Sequence, residues 1–185
     1  MEIDHLLAAI TNTLQKKKVD QLALIVAQHN FAITDLIDLT FHKNQQIGFR
    51  AAWILEHVYT AHQEHFLPGT LYFLQKFSSQ DNLSAQRHFA KILALITHKK
   101  ASAPIKRIID SYDTDQLVAT VFGWLIDESI PVAIKSHCLN VLANLSIKHP
   151  WIREELLQTI NFLVDRESIG FYAKVKQIKK QLSKI

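Results

Sequence analysis

Apolar residues recur at helical spacing along almost the whole chain. Examples are Leu6, Leu7, Ile10 and Leu14, then Leu22, Ile25 and Val26, then Ile33, Leu36, Ile37 and Phe41. Recurrence at three and four residues places such side chains on one face of a helix, and the pattern predicts about ten helices. The punctuation agrees. Pro104, Pro131, Pro150 and Pro68 sit where a first helical turn would begin, a position at which the missing N–H costs nothing. Acids follow two of these starts, Glu154 and Glu155 after Pro150, and Asp113 and Asp115 ahead of the run to Ile126, as the helix dipole favours. The alternation expected of strands is absent.

The three most apolar helical stretches, 47–62, 85–100 and 134–149, align on one another. Ala51 pairs with Phe89 and Cys138, Ala52 with Ala90 and Leu139, and Ile54 with Ile92 and Val141. Leu55 pairs with Leu93 and Leu142, and Val58 with Ile96 and Leu145. These five columns define the expected core. The offset is 38 residues from Ala51 to Phe89 and 49 from Phe89 to Cys138, so eleven extra residues fall around Ala101 to Tyr112, as a lengthened connection or a short added helix. Each aligned helix follows another, 66–77 before the second and 116–127 before the third, so the repeating unit is a helix pair.

The stretch from Leu67 to Ile96 resembles a HEAT repeat, with Pro68 early in its first helix, Asp81 in the turn and Arg87 just inside its second helix. Leu117 to Leu145 resembles another, with Asp127 in the turn, Lys135 near the second helix start and Val141, Leu142 and Leu145 in core register. Pairs over 20–41, 46–77 and 151–182 extend the likeness to most of the chain. The resemblance implies an all-α fold, an α-α superhelix of the HEAT/armadillo-like solenoid kind with about four to five antiparallel helix pairs. It also implies a binding surface or scaffold, and it transfers no catalytic residue.

Composition fits one domain over residues 1–185: 48% of the chain is hydrophobic, 21% is charged, and only four Gly and four Pro interrupt it. The single Cys and the absence of a charged, apolar leader pattern lead us to expect a reducing, cytoplasmic setting, and no apolar run is long enough for a membrane span. The net charge is +4, yet five Lys (174, 176, 179, 180 and 184) and no acid lie between Ser168 and Ile185. Subtracting these five from 21 basic residues leaves 16 against 17 acids, so the basic character belongs to the terminal segment. There Phe171, Val175, Ile178, Leu182 and Ile185 form an apolar stripe, which predicts a capping helix with a lysine face.

Catalytic patterns are sparse. His57, His62, Glu64 and His65 lie close in sequence, but only His62 and His65 have helical ligand spacing and neither HExxH nor a Cys pattern is present, so no metal or cofactor is expected. Cys138 occupies a core column and reads as a small buried residue. Gly48, Gly69, Gly123 and Gly170 are isolated, which excludes a phosphate loop, and Gly123 reads as a close helix contact. The Met-containing loop of adenylosuccinate lyases has no counterpart, the one Met being Met1.

Polar columns run beside the core: Arg50, His88 and His137; Trp53, Lys91 and Asn140; His57, Leu95 and Asn144. Arg50, Trp53 and His57 share one helix face. With His88, Lys91, His137, Asn140 and Asn144 they are the candidate partner-binding residues; the columns are expected to join into one ridge, with Arg50, Trp53 and His57 at least partly exposed. The function expected is a non-enzymatic protein-interaction or scaffold module that presents a concave helical surface to a protein or peptide. The alternative is a DNA-binding or base-excising enzyme, since the architecture also resembles the HEAT-like alkylpurine DNA glycosylases, which use acids and aromatics on a basic face. Trp53 with Glu56, or Trp124 with Asp127, would then supply the site, and nucleic acid would be the partner.

Overall fold

A computed structural model describes residues 3–12, 14–29 and 31–184. Among them lie twelve α-helices and no strand. They are α1 (Ile3–Thr11), α2 (Lys16–Gln28), α3 (Ile33–Leu39), α4 (Gln45–Ala61), α5 (Gln63–Phe66), α6 (Thr70–Phe77) and α7 (Leu83–Ile96), then α8 (Ala103–Ser111), α9 (Asp115–Ile126), α10 (Val132–Leu145), α11 (Trp151–Leu163) and α12 (Ile169–Leu182). A 3-10 turn, Leu67–Gly69, leads into α6 and carries Pro68 in its first positions. The chain forms two compact units, Met1–Ile92 and Leu93–Ile185, with the division inside α7.

In the first unit α4 is the central helix, packed against α1, α2 and α3. Its core is aromatic. Phe89 lies 4.9 Å from Phe73 and 5.9 Å from Phe41, and Phe66 links Phe73 to Tyr59. Rings crossing edge to face, as most of these do, match the positive edge of one to the negative face of the next. Two glycines allow close packing here, Gly48 against backbone and Gly69 against a side chain. A Cβ on Gly48 would stand 2.7 Å from the Thr40 carbonyl oxygen, and one on Gly69 would stand 2.0 Å from Cγ2 of Ile33. Gly123 is the reverse case and corrects the sequence reading: nothing lies within 4 Å of its would-be Cβ, so it makes no close contact.

In the second unit α10 takes the central place, packed against α9, α11 and α12. Its core is aliphatic, from Val121 and Leu125 through Leu139 and Leu142 to Ile152 and Leu156. Lys135 is buried within it, 1% exposed, and its ammonium pairs with Glu167. Every residue of the five aligned columns is buried. The eleven-residue excess is the short helix α8, with Pro104 in its first turn. On α12 the stripe Phe171, Val175, Ile178 and Leu182 is buried, whereas Ile185 lies outside the described residues. Helices α7 and α10 stop at Ile96 and Leu145, earlier than the apolar pattern extends. Just past α7 the Thr97 backbone N–H and hydroxyl both donate to the Leu93 carbonyl. No helix of the described residues is long and apolar enough to cross a membrane.

Candidate interaction cleft

Helix α4 starts at Asn44, whose side chain accepts the Gln46 N–H at 3.0 Å. Asn82 caps the start of α7 in the same manner, accepting from Ser84 N at 3.0 Å. The Asn82 amide also donates to the Gln45 carbonyl at 2.8 Å, which ties the two helix starts together. Gln80 reinforces the tie through the Thr40 hydroxyl. Further along the two helices, His88 and Lys91 of α7 lie beside Glu56 of α4.

Glu56 is only 7% exposed. The His88 imidazole donates from Nδ1 to one carboxylate oxygen at 2.6 Å, and the Lys91 ammonium pairs with the other. Burial by itself would raise the Glu56 pKa. Hydrogen bonds from His88 and Lys91, with their charges, overcome that effect and hold the carboxyl at about 2, against an ordinary 4.5.

Above this carboxylate lies a stack of rings. Trp53 is 5.9 Å from Phe49 and 6.4 Å from His88, nearly parallel to both. The Trp53 indole N–H donates to Nε2 of His57 at 3.2 Å, and Nδ1 of His57 meets Asp20 of α2 at 2.6 Å. With Nε2 accepting, the ring hydrogen resides on Nδ1 and points to Asp20. Three neighbours thus fix Trp53, and it remains half-buried rather than enclosed. The rings and Glu56 line a cleft of about 560 Å³ whose rim carries Lys16, Arg87 and Lys91. Its chemistry is an immobilised aromatic face beside cations, suited to a group that is apolar on one side and anionic on the other.

Arg50, Trp53, His57 and Lys91 are half-buried and His88 is buried. Arg50 has a structural task, because its guanidinium donates to the carbonyls of Ile10 and Thr11 at 2.9 and 2.8 Å and so caps the end of α1. In the second unit His137, Asn140 and Asn144 are half-buried. The Asn144 amide is fully engaged, donating to the Ala94 carbonyl and the Thr97 hydroxyl and accepting from Gln181. Among the other histidines, His65 contacts the Phe31 carbonyl at 2.8 Å and His62 ends α4. Cys138 is fully buried, and burial pushes its thiol up to about 12. Trp124 is half-buried, while Asp127 accepts from the backbone and hydroxyl of Ser129 in a turn.

Phe49, Arg87 and Lys16 line the cleft beyond the expected partner-binding residues, Asp20 holds His57 from α2, and Glu56 is the hub. One signal for Glu56 was available. The alignment that pairs Leu55 with Leu93 and Leu142 pairs Glu56 with Ala94 and Ala143, both buried. An acid in a column otherwise filled by buried Ala needs partners, and His88 and Lys91 are the adjacent cations on α7.

The HEAT repeat domain model matches residues 6–182, nearly the entire chain. The chain belongs to the HEAT repeat domain family. No curated protein and no solved structure matches it significantly. For a HEAT repeat protein the placement of this cleft is in keeping with the architecture, since the columns beside the matched core positions become the surface of successive second helices. Helical modules of this type commonly serve protein interaction, and the all-helical structure agrees with the α-α repeat class.

Proposed function

We propose that the protein is a non-enzymatic interaction or scaffold module in a single repeat domain, and that its cleft on α4 and α7 receives an acidic segment of a partner protein. The observation that carries this reading is Trp53, a large ring held by Phe49, His88 and His57 yet half-exposed. An anchor already immobilised loses little entropy on binding, and Trp and Arg are the residues that most often dominate an interface. Lys16, Arg87 and Lys91 supply the charge that an acidic segment would complement. Within the wider candidate surface, Trp53, His57 and Lys91 contact the partner, while Arg50 and His88 brace them from behind. His137, Asn140 and Asn144 are the corresponding candidates of the second unit. We place the module in the cytoplasm, where a lone reduced thiol such as Cys138 persists.

The base-excising alternative would ask Glu56 to act as acid or base. A carboxylate held at about 2, with both oxygens already occupied, is poorly matched to proton transfer near neutral pH. The two readings separate in one titration series. A Glu-rich peptide containing one aromatic residue, and duplex DNA at several salt concentrations, are each added to the protein and to its Trp53→Ala and Arg87→Glu variants. Saturable peptide binding lost in both variants supports the interaction module. Tight DNA binding with a steep salt slope and no peptide binding overturns it.

A further inference from the structure

The second unit contains a cleft of about 510 Å³, within the range of small-molecule sites. One wall is the end of α12 with Gln177, Lys180 and Gln181, continued by Lys184 just after the helix; the others are the residues after α7, including His98 and Lys99, and the end of α10. Asn144 joins the three walls, because its amide reaches Ala94 and Thr97 at 3.1 and 3.2 Å and accepts from Gln181 at 3.0 Å. The cleft is therefore held open by its own hydrogen bonds rather than formed by loose surface chains.

Its charge is uncompensated. Lys180 lies near the end of α12 and Lys184 in the turn just after it, both lining the cleft, and Lys99 stands on the facing wall. No acid lines the cleft, and among the described residues none of these three ammonium groups has an ion-pair partner. The ends of α7, α10 and α12 all border it. Each helix end contributes roughly half a negative charge, so three Lys leave an excess of roughly one and a half positive charges. Burial, and then the charges of Lys100, Lys99 and Lys106, lower the pKa of His98. Ile147, 64% exposed, adds an apolar flank.

We propose that this cleft binds a phosphate group, carried as a compact phosphoester or pyrophosphate. Ammonium point charges suit a phosphate dianion, and the amide N–H groups of Gln177, whose Oε1 already accepts from Lys174, provide a neutral donor.

The test uses the full chain, with pyrophosphate titrated calorimetrically and His98 followed by NMR. One-site binding is expected, with the His98 pKa rising as the anion enters. Lys180→Gln/Lys184→Gln should weaken binding by at least about tenfold, equivalent to about 1.4 kcal/mol, without lowering the unfolding temperature. The charge-matched control Lys176→Gln/Lys179→Gln, on the same helix but outside the cleft, should stay within about twofold. Vesicles of phosphatidic acid in phosphatidylcholine separate the sources. Sedimentation with them that requires Lys180 and Lys184 assigns a lipid headgroup, and pyrophosphate binding without sedimentation assigns a soluble phosphate. Absence of saturable binding, or equal weakening by both double variants, overturns the proposal.

Discussion

The carboxylate of Glu56 in α4 and the imidazole of His88 in α7 meet at 2.6 Å in a nearly dry setting, with Lys91 completing the cluster. A buried carboxylate that gains donors only on folding makes stability depend on pH. Because the Glu56 pKa falls from 4.5 to about 2 on folding, its contribution is complete above about pH 4.5 and is lost as pH drops through about 2. The shift corresponds to about 3 kcal/mol. Urea unfolding of the native protein and of Glu56→Gln between pH 6 and 2 checks this. The variant should be less stable near neutral pH, and the difference should shrink across that window. A constant difference at every pH would show that the carboxylate is not the source.

Arg50 donates to two carbonyls at the end of α1, some 40 residues away in sequence. Charge-assisted bonds of this kind contribute about 1.5 to 3 kcal/mol each when both partners are well placed. Arg50→Ala is expected to cost somewhat less than that in total, about 1 to 3 kcal/mol, because water can reach the freed carbonyls. Hydrogen exchange locates the effect: amides of α1 should exchange faster while those of α9 are unchanged.

The three glycines at 48, 69 and 123 predict opposite outcomes for one substitution. Gly123 is exposed in the interior of α9 with nothing near its Cβ position, so Gly123→Ala should stabilise by about 1 kcal/mol through helix propensity. Gly48→Ala would press a methyl onto the rigid Thr40 carbonyl and Gly69→Ala onto Ile33, and each should destabilise by about 1 to 3 kcal/mol. Denaturation midpoints of the three single variants settle the signs.

The five core columns and the buried stripe of α12 were legible in the sequence because each depends on periodicity alone: once the helix face is known, burial follows. The unequal repeat interval located the insertion between α7 and α9, while its form, a helix rather than a longer connection, came from the structure. Polar partners are different. Nothing local in Arg50 points to Ile10, and nothing local in Asn144 points to Gln181, since these bonds depend on which helix ends tertiary packing brings together. Gly123 misled for a related reason. A small residue permits close approach, but whether a neighbour arrives is decided by another segment. The half-buried places of Trp53, His57 and Lys91 follow from polar columns that flank the core columns at fixed spacing, whereas the pairing of Glu56, in a column of buried residues, with His88 and Lys91 depends on how α7 packs against α4.

Trp53 and Leu93 offer the sharpest test of which residues make surface and which make core. Leu93 is fully buried, and Leu93→Ala should cost about 2 to 5 kcal/mol through lost transfer energy and the cavity left behind. Trp53 is half-buried and stacked on Phe49 and His88, so Trp53→Ala should cost about half as much. Trp53→Phe, which retains a ring in the stack but loses the bond to His57, should cost less than about 1 kcal/mol. Binding of the acidic peptide should follow a different order, abolished in Trp53→Ala, weakened in Trp53→Phe and preserved in whatever fraction of Leu93→Ala remains folded. If Trp53→Ala costs as much stability as Leu93→Ala, the indole is a core element, and the cleft on α4 and α7 loses the anchor on which its role in binding rests.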